Sequence, residues 1–259
     1  MKLTQLRGML ALTGLAAMLA MPVNPALKAA ENNAFSDMQR QEIEGVVREY
    51  LLKNPEILRE MMTALEAKES HERSIAQSRA LSENADAIFR SANDIVLGNP
   101  KGDVTLVEFF DYNCGFCKRA LKDLQKLLET DKNLKIVIKE YPILSAGSLE
   151  AARVSLAASR QGNYLEFHSA LLSARGQADG ERALKLAKKL GLDMDKLKAD
   201  MDKPEIDESL ASVQKLARRL GISGTPAYII GDAIIPGAVG IENLRAQIAK
   251  IRKTGCKNC

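Results

Sequence analysis

The chain has 259 residues, of which 46% are hydrophobic, 27% are charged and 4% are aromatic, and its formal net charge is +4. This length and apolar content suffice for one good hydrophobic core with room for an extra module. Three of the positive charges, Lys2, Arg7 and Lys28, lie in a segment that is predicted to be removed, so the remainder is nearly neutral. The charge balance argues against nucleic acid or an anionic membrane surface as a partner.

Residues 1–29 have the layout of a secretory signal peptide. A basic start is followed by an apolar run from Met9 to Met21, which is too short for a comfortable membrane span, and then by small residues from Ala26 to Ala30. Cleavage after Ala29 is predicted, and an uncleaved membrane anchor is the alternative. Export to the periplasm implies an oxidising compartment, where disulfide chemistry has substrates.

Residues 30–93 are predicted to form a helical leader. Ser36 and Gln39 make a capping box, and apolar residues recur at helical spacing through two stretches, 43–51 and 57–65. Residues 66–93 are charged and Ala-rich and are predicted to be a helical spacer. Because the apolar stripe must be covered, we expect a homo-oligomer formed through residues 36–65. Packing of the stripe onto the chain's own catalytic domain is the alternative.

A strand, a Cys-x-x-Cys motif and a helix follow one another in residues 104–128. The apolar, β-favouring run from Val104 to Phe110 precedes Cys114-Gly115-Phe116-Cys117, and a helical pattern continues from there. Cysteines three residues apart in a first helical turn lie close enough for a disulfide, and the helix start favours the thiolate of the first. We therefore expect Cys114 to be the exposed nucleophile and Cys117 to resolve the mixed disulfide.

Two other interpretations of this cysteine pair are a structural disulfide and half of a zinc site. Zinc would need a second pair at finger-like spacing. The other pair, Cys256 and Cys259, lies in the C-terminal tail with no histidine near it. The strand-to-helix context therefore favours redox chemistry.

The rest of residues 94–253 completes a catalytic domain. A strand at 134–141 follows the first helix, which predicts two parallel neighbours with a right-handed crossover. Residues 148–221 are helical throughout and are broken by glycines into four or five short helices. Ala227 to Ile230 and Ala233 to Pro236 predict a β-hairpin, and a helix closes the domain at 241–252. His168, in the helical region, is interpreted as a packing or surface residue.

The Cys114-Gly115-Phe116-Cys117 stretch and the downstream Gly224-Thr225-Pro226-Ala227 resemble the active site and the cis-proline loop of bacterial Dsb-type thiol:disulfide oxidoreductases. Over roughly residues 94 to 253 the chain is most similar to DsbA-like members that carry an extra N-terminal helical region. The resemblance implies an α/β thioredoxin fold with a helical insertion at about 148–221, preceded by an all-helical oligomerisation region.

The same resemblance assigns roles to three further residues. It implies a cis bond at Pro226, which places the Thr225 backbone beside the sulfurs, where it can pair with an extended substrate strand. Glu108, six residues before Cys114, matches the buried acid that helps to move the proton of the resolving thiol in relatives. A strand-edge carboxylate facing water is the alternative for Glu108.

The residues between the cysteines and the C-terminal tail bear on redox character. Relatives with Pro-His between the cysteines are strong oxidants, whereas Gly115-Phe116 resembles the Gly-Tyr of the isomerase DsbC. We expect a potential between about −270 and −120 mV, the range spanned by the fold. In the tail at 254–259, Cys256 and Cys259 are interpreted as a protective disulfide, with metal capture, such as copper, and a thiol relay as alternatives.

The sequence thus predicts an exported, oligomeric thiol:disulfide oxidoreductase with isomerase character and no cofactor. Its predicted partners are unfolded or misdisulfided exported proteins and a membrane oxidase or reductase. Two alternatives stay open: a monomeric DsbA-like oxidase, and a metal-binding or chaperone-like thiol protein.

Overall fold

The computed structural model describes residues 35–162 and 164–256, so the predicted signal peptide and Cys259 lie outside the described residues. The described residues form five strands and ten helices. In chain order these are α1 (Asp37–Lys53), α2 (Glu56–Glu83), α3 (Ala85–Phe89), β1 (Ile95–Gly98), β2 (Val104–Phe110), α4 (Gly115–Thr130), β3 (Leu134–Glu140), α5 (Ala146–Ser159), α6 (Tyr164–Ser173), α7 (Gly180–Lys189), α8 (Met194–Met201), α9 (Pro204–Arg219), β4 (Ala227–Ile230), β5 (Ala233–Pro236) and α10 (Ile241–Thr254).

The chain divides into two compact units, of which the first ends at Ala64. The predicted capping box is confirmed at the start of α1, where the Ser36 N–H donates to Gln39 Oε1 at 2.9 Å and Ser36 Oγ accepts from the Gln39 N–H at 3.3 Å. No residue of α1 is buried. Large apolar side chains of this unit are exposed in the single chain: Met38, Ile43, Val46, Val47, Tyr50, Leu58, Met61 and Met62. Their cover by a second copy stays a prediction.

The second unit, from Leu65 onward, is built on a five-stranded sheet in the order β1-β3-β2-β4-β5. The predicted parallel pairing of β2 with β3 is confirmed, and the other three pairings are antiparallel. The predicted hairpin has its strands at the predicted residues, with Gly231 at φ 60° in the turn. The central strand β2 is buried along its whole length.

The two faces of β2 lie in different apolar clusters. Leu106 and Phe110 pack with α4 and α10, whereas Val107 and Phe109 pack with α9 and with residues that precede β1. Because side chains alternate along a strand, Glu108 shares the face of Leu106 and Phe110. Cys117 of α4 lies in the apolar cluster on this face. The predicted helical insertion is also confirmed, because five helices, α5 to α9, separate β3 from β4.

The segment at 66–93 differs from the predicted spacer. Leu81, Ile88 and Phe89 are buried in the cluster that contains Val107 and Val137 of the sheet. The thin apolar spacing seen in the sequence is therefore enough to dock this segment, because its three buried side chains join α9 in covering one face of the sheet. The second compact unit begins before residue 94, the predicted start of the catalytic domain.

A buried ion pair fastens this segment to the sheet. Lys139 of β3 pairs with Asp94, their side chains being 2% and 8% exposed, and its Nζ also donates to the Ala87 carbonyl at 2.8 Å. Burial lowers the pKa of Lys139 and raises the pKa of Asp94, and the attraction between the two opposes both shifts. Removing one charge alone therefore leaves the other buried without its partner.

Replacing Lys139 with Met should lower the free energy of unfolding by about 3 to 5 kcal/mol, because Asp94 is left buried without a cation. The double variant Lys139→Met/Asp94→Leu should recover much of this loss. Urea unfolding of the wild type and of the single and double variants measures the effect. Equal stability of the single and double variants would contradict the expectation that the unpaired Asp94 charge causes the loss.

Candidate active site

Cys114 is the N-cap residue of α4, and its sulfur lies between two backbone groups. Its Sγ accepts from the Cys117 N–H at 3.3 Å, and the thiol donates to the Thr225 carbonyl at 3.1 Å. Both cysteines are free thiols in this structure. The predicted placement of the pair at a helix start is thus confirmed. The helix directs an N–H group and the positive end of its dipole at the Cys114 sulfur.

The predicted exposure of Cys114 is wrong for the residue as a whole. Cys114 is 5% exposed and Cys117 is 1% exposed, whereas Phe116 between them is 57% exposed. The cis-proline loop covers Cys114 because the Thr225 carbonyl lies against its sulfur. Burial raises the pKa of the Cys117 thiol, and a backbone hydrogen bond at Asp111 opposes that shift. Cys117 therefore keeps its proton until a base removes it.

The loop opposite Cys114 contains the predicted cis peptide bond, between Thr225 and Pro226. Pro226 is buried and its carbonyl accepts from the Gly237 N–H at 2.8 Å, which ties the loop to the end of the hairpin. Thr225 is half-buried. The structure thus brings together Cys114, Cys117, Thr225 and Pro226, as the sequence predicted.

Glu108 lies beneath the cysteines and is buried, which excludes a strand-edge carboxylate facing water. Its pKa is raised to about 8, because burial disfavours the charged form, while a hydrogen bond from Tyr228 opposes the shift. Its Oε2 has no hydrogen-bond partner among the described residues. Its charge acts on Cys117, where it raises the pKa of the thiol further. A buried acid next to the inner thiol can accept or return a proton.

Sequence reasoning missed the residues that hold the turn before Cys114. Asp111 Oδ2 accepts from the Ile143 and Leu144 N–H groups at 2.8 and 3.0 Å, and Oδ1 accepts from the Ser148 hydroxyl at 2.8 Å. Oδ1 also accepts from the Asn113 N–H at 2.7 Å. The Asp111 carboxylate therefore locks the end of β2 to the segment that follows β3.

Asn113 continues this anchoring with its side-chain amide. Nδ2 donates to the Ala178 carbonyl at 2.9 Å, and Oδ1 accepts from the Ala178 N–H at 2.7 Å. The same Nδ2 lies 2.9 Å from Ser148 Oγ. The residue directly before Cys114 is thus fixed to the helical insertion by a two-point contact with one backbone residue.

Tyr112, between these two residues, belongs to a buried polar cluster that also contains Glu140, Ser155, Tyr164 and His168. Its hydroxyl lies 2.6 Å from Ser155 Oγ, donates to Glu140 Oε1 at 3.2 Å, and lies 3.3 Å from His168 Nδ1. The Tyr164 hydroxyl also donates to Glu140 Oε1, at 3.1 Å. Burial raises the pKa of Glu140 to about 8 and lowers the pKa of His168 to about 3.

The cluster resolves the interpretation of His168, which is a buried packing residue rather than a surface residue. Its ring contacts Phe110 edge to face, with centroids 4.6 Å apart, and stacks on Tyr164 at 5.3 Å. A single sequence contains no local signal for this cluster, because its members come from the turn after β2, from β3 and from two insertion helices.

A profile of the DSBA-like thioredoxin domain family matches residues 105–249, which is more than half of the chain. The chain belongs to this family. A second profile, the N-terminal domain of the copper resistance protein ScsC, matches residues 39–72 in the leader. The fold is therefore the predicted thioredoxin fold with an N-terminal helical region, and the chain is similar to thiol–disulfide oxidoreductases of the DsbA and ScsC type.

Two solved structures illustrate the similarity of this DSBA-like protein. A thioredoxin-like oxidoreductase from Silicibacter pomeroyi is 44% identical and covers 66% of this chain and 98% of its own, with a TM-score of 0.64. Proteus mirabilis ScsC in a transitional conformation is 31% identical and covers 85% of this chain and 97% of its own, with a TM-score of 0.61. The second match extends into the leader region.

The curated relatives that this DSBA-like protein matches include a much longer protein. The Na(+)/H(+) antiporter NhaA 1 of Salinispora arenicola is 28% identical over 157 residues, which are 60% of this chain and 24% of the antiporter. The chain thus spans about a quarter of that relative's length. Among the described residues, no helix combines the length and the apolar character that a bilayer crossing requires.

The raised pKa values of Glu108 and Glu140 predict a pH-dependent stability. Both pKa values are raised to about 8 in the folded state from an ordinary value of 4.5, so between these values the folded protein retains protons that the unfolded chain releases. The stability contributed by these protons is fully present below about pH 4.5 and is lost as pH rises through about 8. As the pH rises over this range, each carboxyl should lower the free energy of unfolding by at most about 5 kcal/mol.

The variant Glu140→Gln should remove about half of this pH dependence, because the amide keeps an acceptor for the two tyrosines and does not titrate. Urea unfolding at a series of pH values from 5 to 8.5 measures the slope. Glu166→Gln, on the exposed side of α6, is the matched control. An unchanged slope in the Glu140 variant would mean that this carboxyl does not hold its proton.

Proposed function

We propose that this protein is an exported disulfide isomerase that acts on folding proteins through Cys114 and Cys117. The observation that carries the proposal is the position of the Cys114 thiol, at a helix N-terminus, 3.3 Å from the Cys117 N–H and 3.1 Å from the Thr225 carbonyl. A reactive thiol needs an electropositive surrounding, and an extended substrate needs backbone groups to pair with. The start of α4 and the Thr225 backbone supply these two features at Cys114.

The reaction begins when the Cys114 thiolate attacks one sulfur of a substrate disulfide. A bond forms between Cys114 and that sulfur, the substrate S–S bond breaks, and the electron pair leaves with the other substrate sulfur as a thiolate. In isomerisation, a different substrate thiolate attacks the mixed disulfide and releases Cys114, so no net oxidation occurs. In reduction of the substrate, Cys117 attacks the Cys114 sulfur, forms the Cys114–Cys117 disulfide and releases the substrate thiol.

Glu108 is proposed to move the proton of Cys117. The Cys117 thiol must lose its proton before it can attack, and burial holds its pKa high. Glu108 lies on the same face of the sheet, has an oxygen without a partner among the described residues, and has a pKa raised to about 8. A base whose pKa lies near the working pH transfers a proton in both directions with little cost.

Isomerase character rests on two features. First, the residues between the cysteines are Gly115 and Phe116, so there is no histidine beside Cys114 as there is in the strong oxidants. The exposed Phe116 ring instead contacts the Arg119 guanidinium, which lies 4.3 Å from the ring centre. The exposed apolar stripe of the leader suits self-association, and an oligomer presents several active sites to one bound substrate. A monomeric oxidase would need only one site.

The predicted location and partners complete the proposal. A periplasmic location is supported by the signal-peptide layout of residues 1–29. The substrates are exported proteins with wrong or missing disulfides, and a membrane redox protein keeps Cys114 and Cys117 in the working state. An isomerase must be held reduced and an oxidase must be held oxidised, so the redox state of Cys114 in the cell separates the two.

A metal-binding thiol protein remains the alternative from another class. Cys256 is disulfide-bonded, which favours the protective disulfide over metal capture by the tail. Within the described part of the chain there is no group of three or more His, Cys, Asp or Glu side chains that could hold a metal ion. Stoichiometric copper uptake without turnover of a scrambled-disulfide protein would favour this alternative.

The two cysteines should behave differently when they are replaced. Cys117→Ala should accumulate mixed disulfides between Cys114 and substrate, because the thiol that resolves the intermediate is missing. Cys114→Ala should abolish exchange and trap nothing. Non-reducing gels and mass spectrometry after incubation with a scrambled-disulfide protein measure the adducts. Trapping by the Cys114 variant alone would reverse the proposed order of attack.

The leader should be required for isomerisation and not for thiol chemistry. A chain that begins at Leu65 retains the second unit with its core and should be a monomer that oxidises dithiols but has lost isomerase activity. In the full-length protein, Ile43→Ser/Val47→Ser should act in the same direction, whereas Glu44→Gln on the same helix should not. Native mass and parallel oxidase and isomerase assays test this. A full-length protein that is already monomeric would contradict the proposal.

A further inference from the structure

An apolar groove begins beside the cysteines. It has a volume of about 410 Å³ and runs from Phe116, Thr225 and Pro226 over Leu220 and Ile222. The hairpin lines its other side through Ile234, Pro236 and the two residues that follow. No charged residue lines this part among the residues that the structure describes. A substrate segment that reaches Cys114 past Thr225 meets a mainly apolar surface.

The groove continues into a second part of a different character. This part has a volume of about 610 Å³ and is lined by one face of α2, from Ser70 to Ala80, and by the C-terminal end of α9. Gln77, Leu220 and Gly221 line both parts, so the two parts adjoin at these three residues, and we refer to them together as the groove. All of these residues belong to the second compact unit.

Three arginines give the second part a positive charge. Arg73, Arg218 and Arg219 line it, and no Asp or Glu lines either part of the groove within residues 35–162 and 164–256. None of the three forms an ion pair with a described carboxylate, and Arg219 donates only to the Asn84 side chain, at 3.2 Å. Arg79, one face away on α2, is paired with Glu83 at 2.7 Å. A groove lined by positive charges alone raises the local concentration of negatively charged groups.

We propose that this groove binds an extended substrate segment in which apolar residues flank the reacting cysteine and acidic side chains lie further along on one side. The proposal rests on the proposed function, because it takes the substrate to be a polypeptide that exchanges disulfides with Cys114. Apolar side chains occupy the part next to the thiol, and carboxylates meet the guanidinium groups, whose planar donors match them. The arginines thus determine which substrates bind, and they take no part in the thiol–disulfide exchange itself.

The test uses the full-length reduced protein and peptides that carry one cysteine as a mixed disulfide with a chromophoric thiol. Two apolar residues follow the cysteine, and then three residues that are all Glu, all Gln or all Lys; a second set has the reverse order. In one of the two orders, the Glu peptide should react about 5- to 20-fold faster than the Lys peptide at low salt, and the ratio should fall towards one at 1 M salt. Equal rates for Glu, Gln and Lys peptides in both orders would overturn the proposal.

Matched variants locate the effect. Arg73→Gln and Arg218→Gln should each reduce the Glu-to-Lys rate ratio, and the double variant should bring it close to one. Arg79→Gln removes the same charge from the same helix outside the groove and should keep the wild-type ratio. A loss of the ratio in Arg79→Gln equal to that in Arg73→Gln would reduce the effect to net charge and overturn the proposal.

Two further measurements separate this proposal from others. Exchange of the wild type with the small chromophoric disulfide alone tests the proposed function, because no peptide is involved. If that exchange is absent, the proposed function fails; if it is present without charge preference among peptides, only the groove proposal fails. A change in native mass caused by Arg73→Gln or Arg218→Gln would show that a second copy occupies the groove, which would also overturn it.

Discussion

The Asp111 carboxylate fixes the turn before Cys114, the proposed reactive thiol, and the geometry of the candidate active site depends on this contact. Its two oxygens accept from two backbone N–H groups after β3, from the Ser148 hydroxyl and from the Asn113 N–H. The Asp111 carbonyl in turn accepts from the Cys114 N–H at 3.0 Å. With the turn held at both ends, Cys114 sits at the N-cap of α4. In this position the sulfur contacts the Cys117 N–H and the Thr225 carbonyl.

Two buried carboxyl groups in this protein have similarly raised pKa values and different surroundings. Glu140 accepts hydrogen bonds from the Tyr112 and Tyr164 hydroxyls, so it is part of a hydrogen-bonded cluster that supports the turn before Cys114. Glu108 has one bond from Tyr228 and an oxygen without a partner among the described residues, and it acts on Cys117. The raised pKa alone does not assign a role. The unpaired oxygen and the nearby thiol are what distinguish Glu108, the proposed proton carrier, from Glu140.

The predicted spacer at 66–93, together with Asp94, has more than one structural role. Leu81, Ile88 and Phe89 complete an apolar cluster on one face of the sheet, and the Lys139–Asp94 pair holds the chain next to them. The same segment supplies Arg73 and Gln77 to the groove. Residues from Leu65 onward therefore belong to the second compact unit by packing and by the buried ion pair, and they line the groove beside the cysteines.

Local signals in the sequence determined the secondary-structure elements and the position of the cysteine pair. Runs of apolar β-branched residues set β2 and the hairpin, and the Gly231-Asp232 turn set the hairpin's register. The Cys-x-x-Cys spacing at a strand-to-helix junction predicted the thiol pair. The position of Glu108 six residues before Cys114 matched the buried acid of the family it resembles. Each of these features depends on neighbours within a few residues, or on a motif that recurs in relatives.

Only the tertiary structure decided the burial of Cys114 and the anchoring of the turn before it. The partners of Tyr112 lie 28 to 56 residues away in the chain, and Asn113 reaches Ala178, 65 residues away. Periodicity and propensity describe the chain over one or two helical turns, so they contain no information about which distant backbone group meets a given side chain. The fold brings β2, β3 and the insertion helices together, and that contact decides which polar residues support the active site.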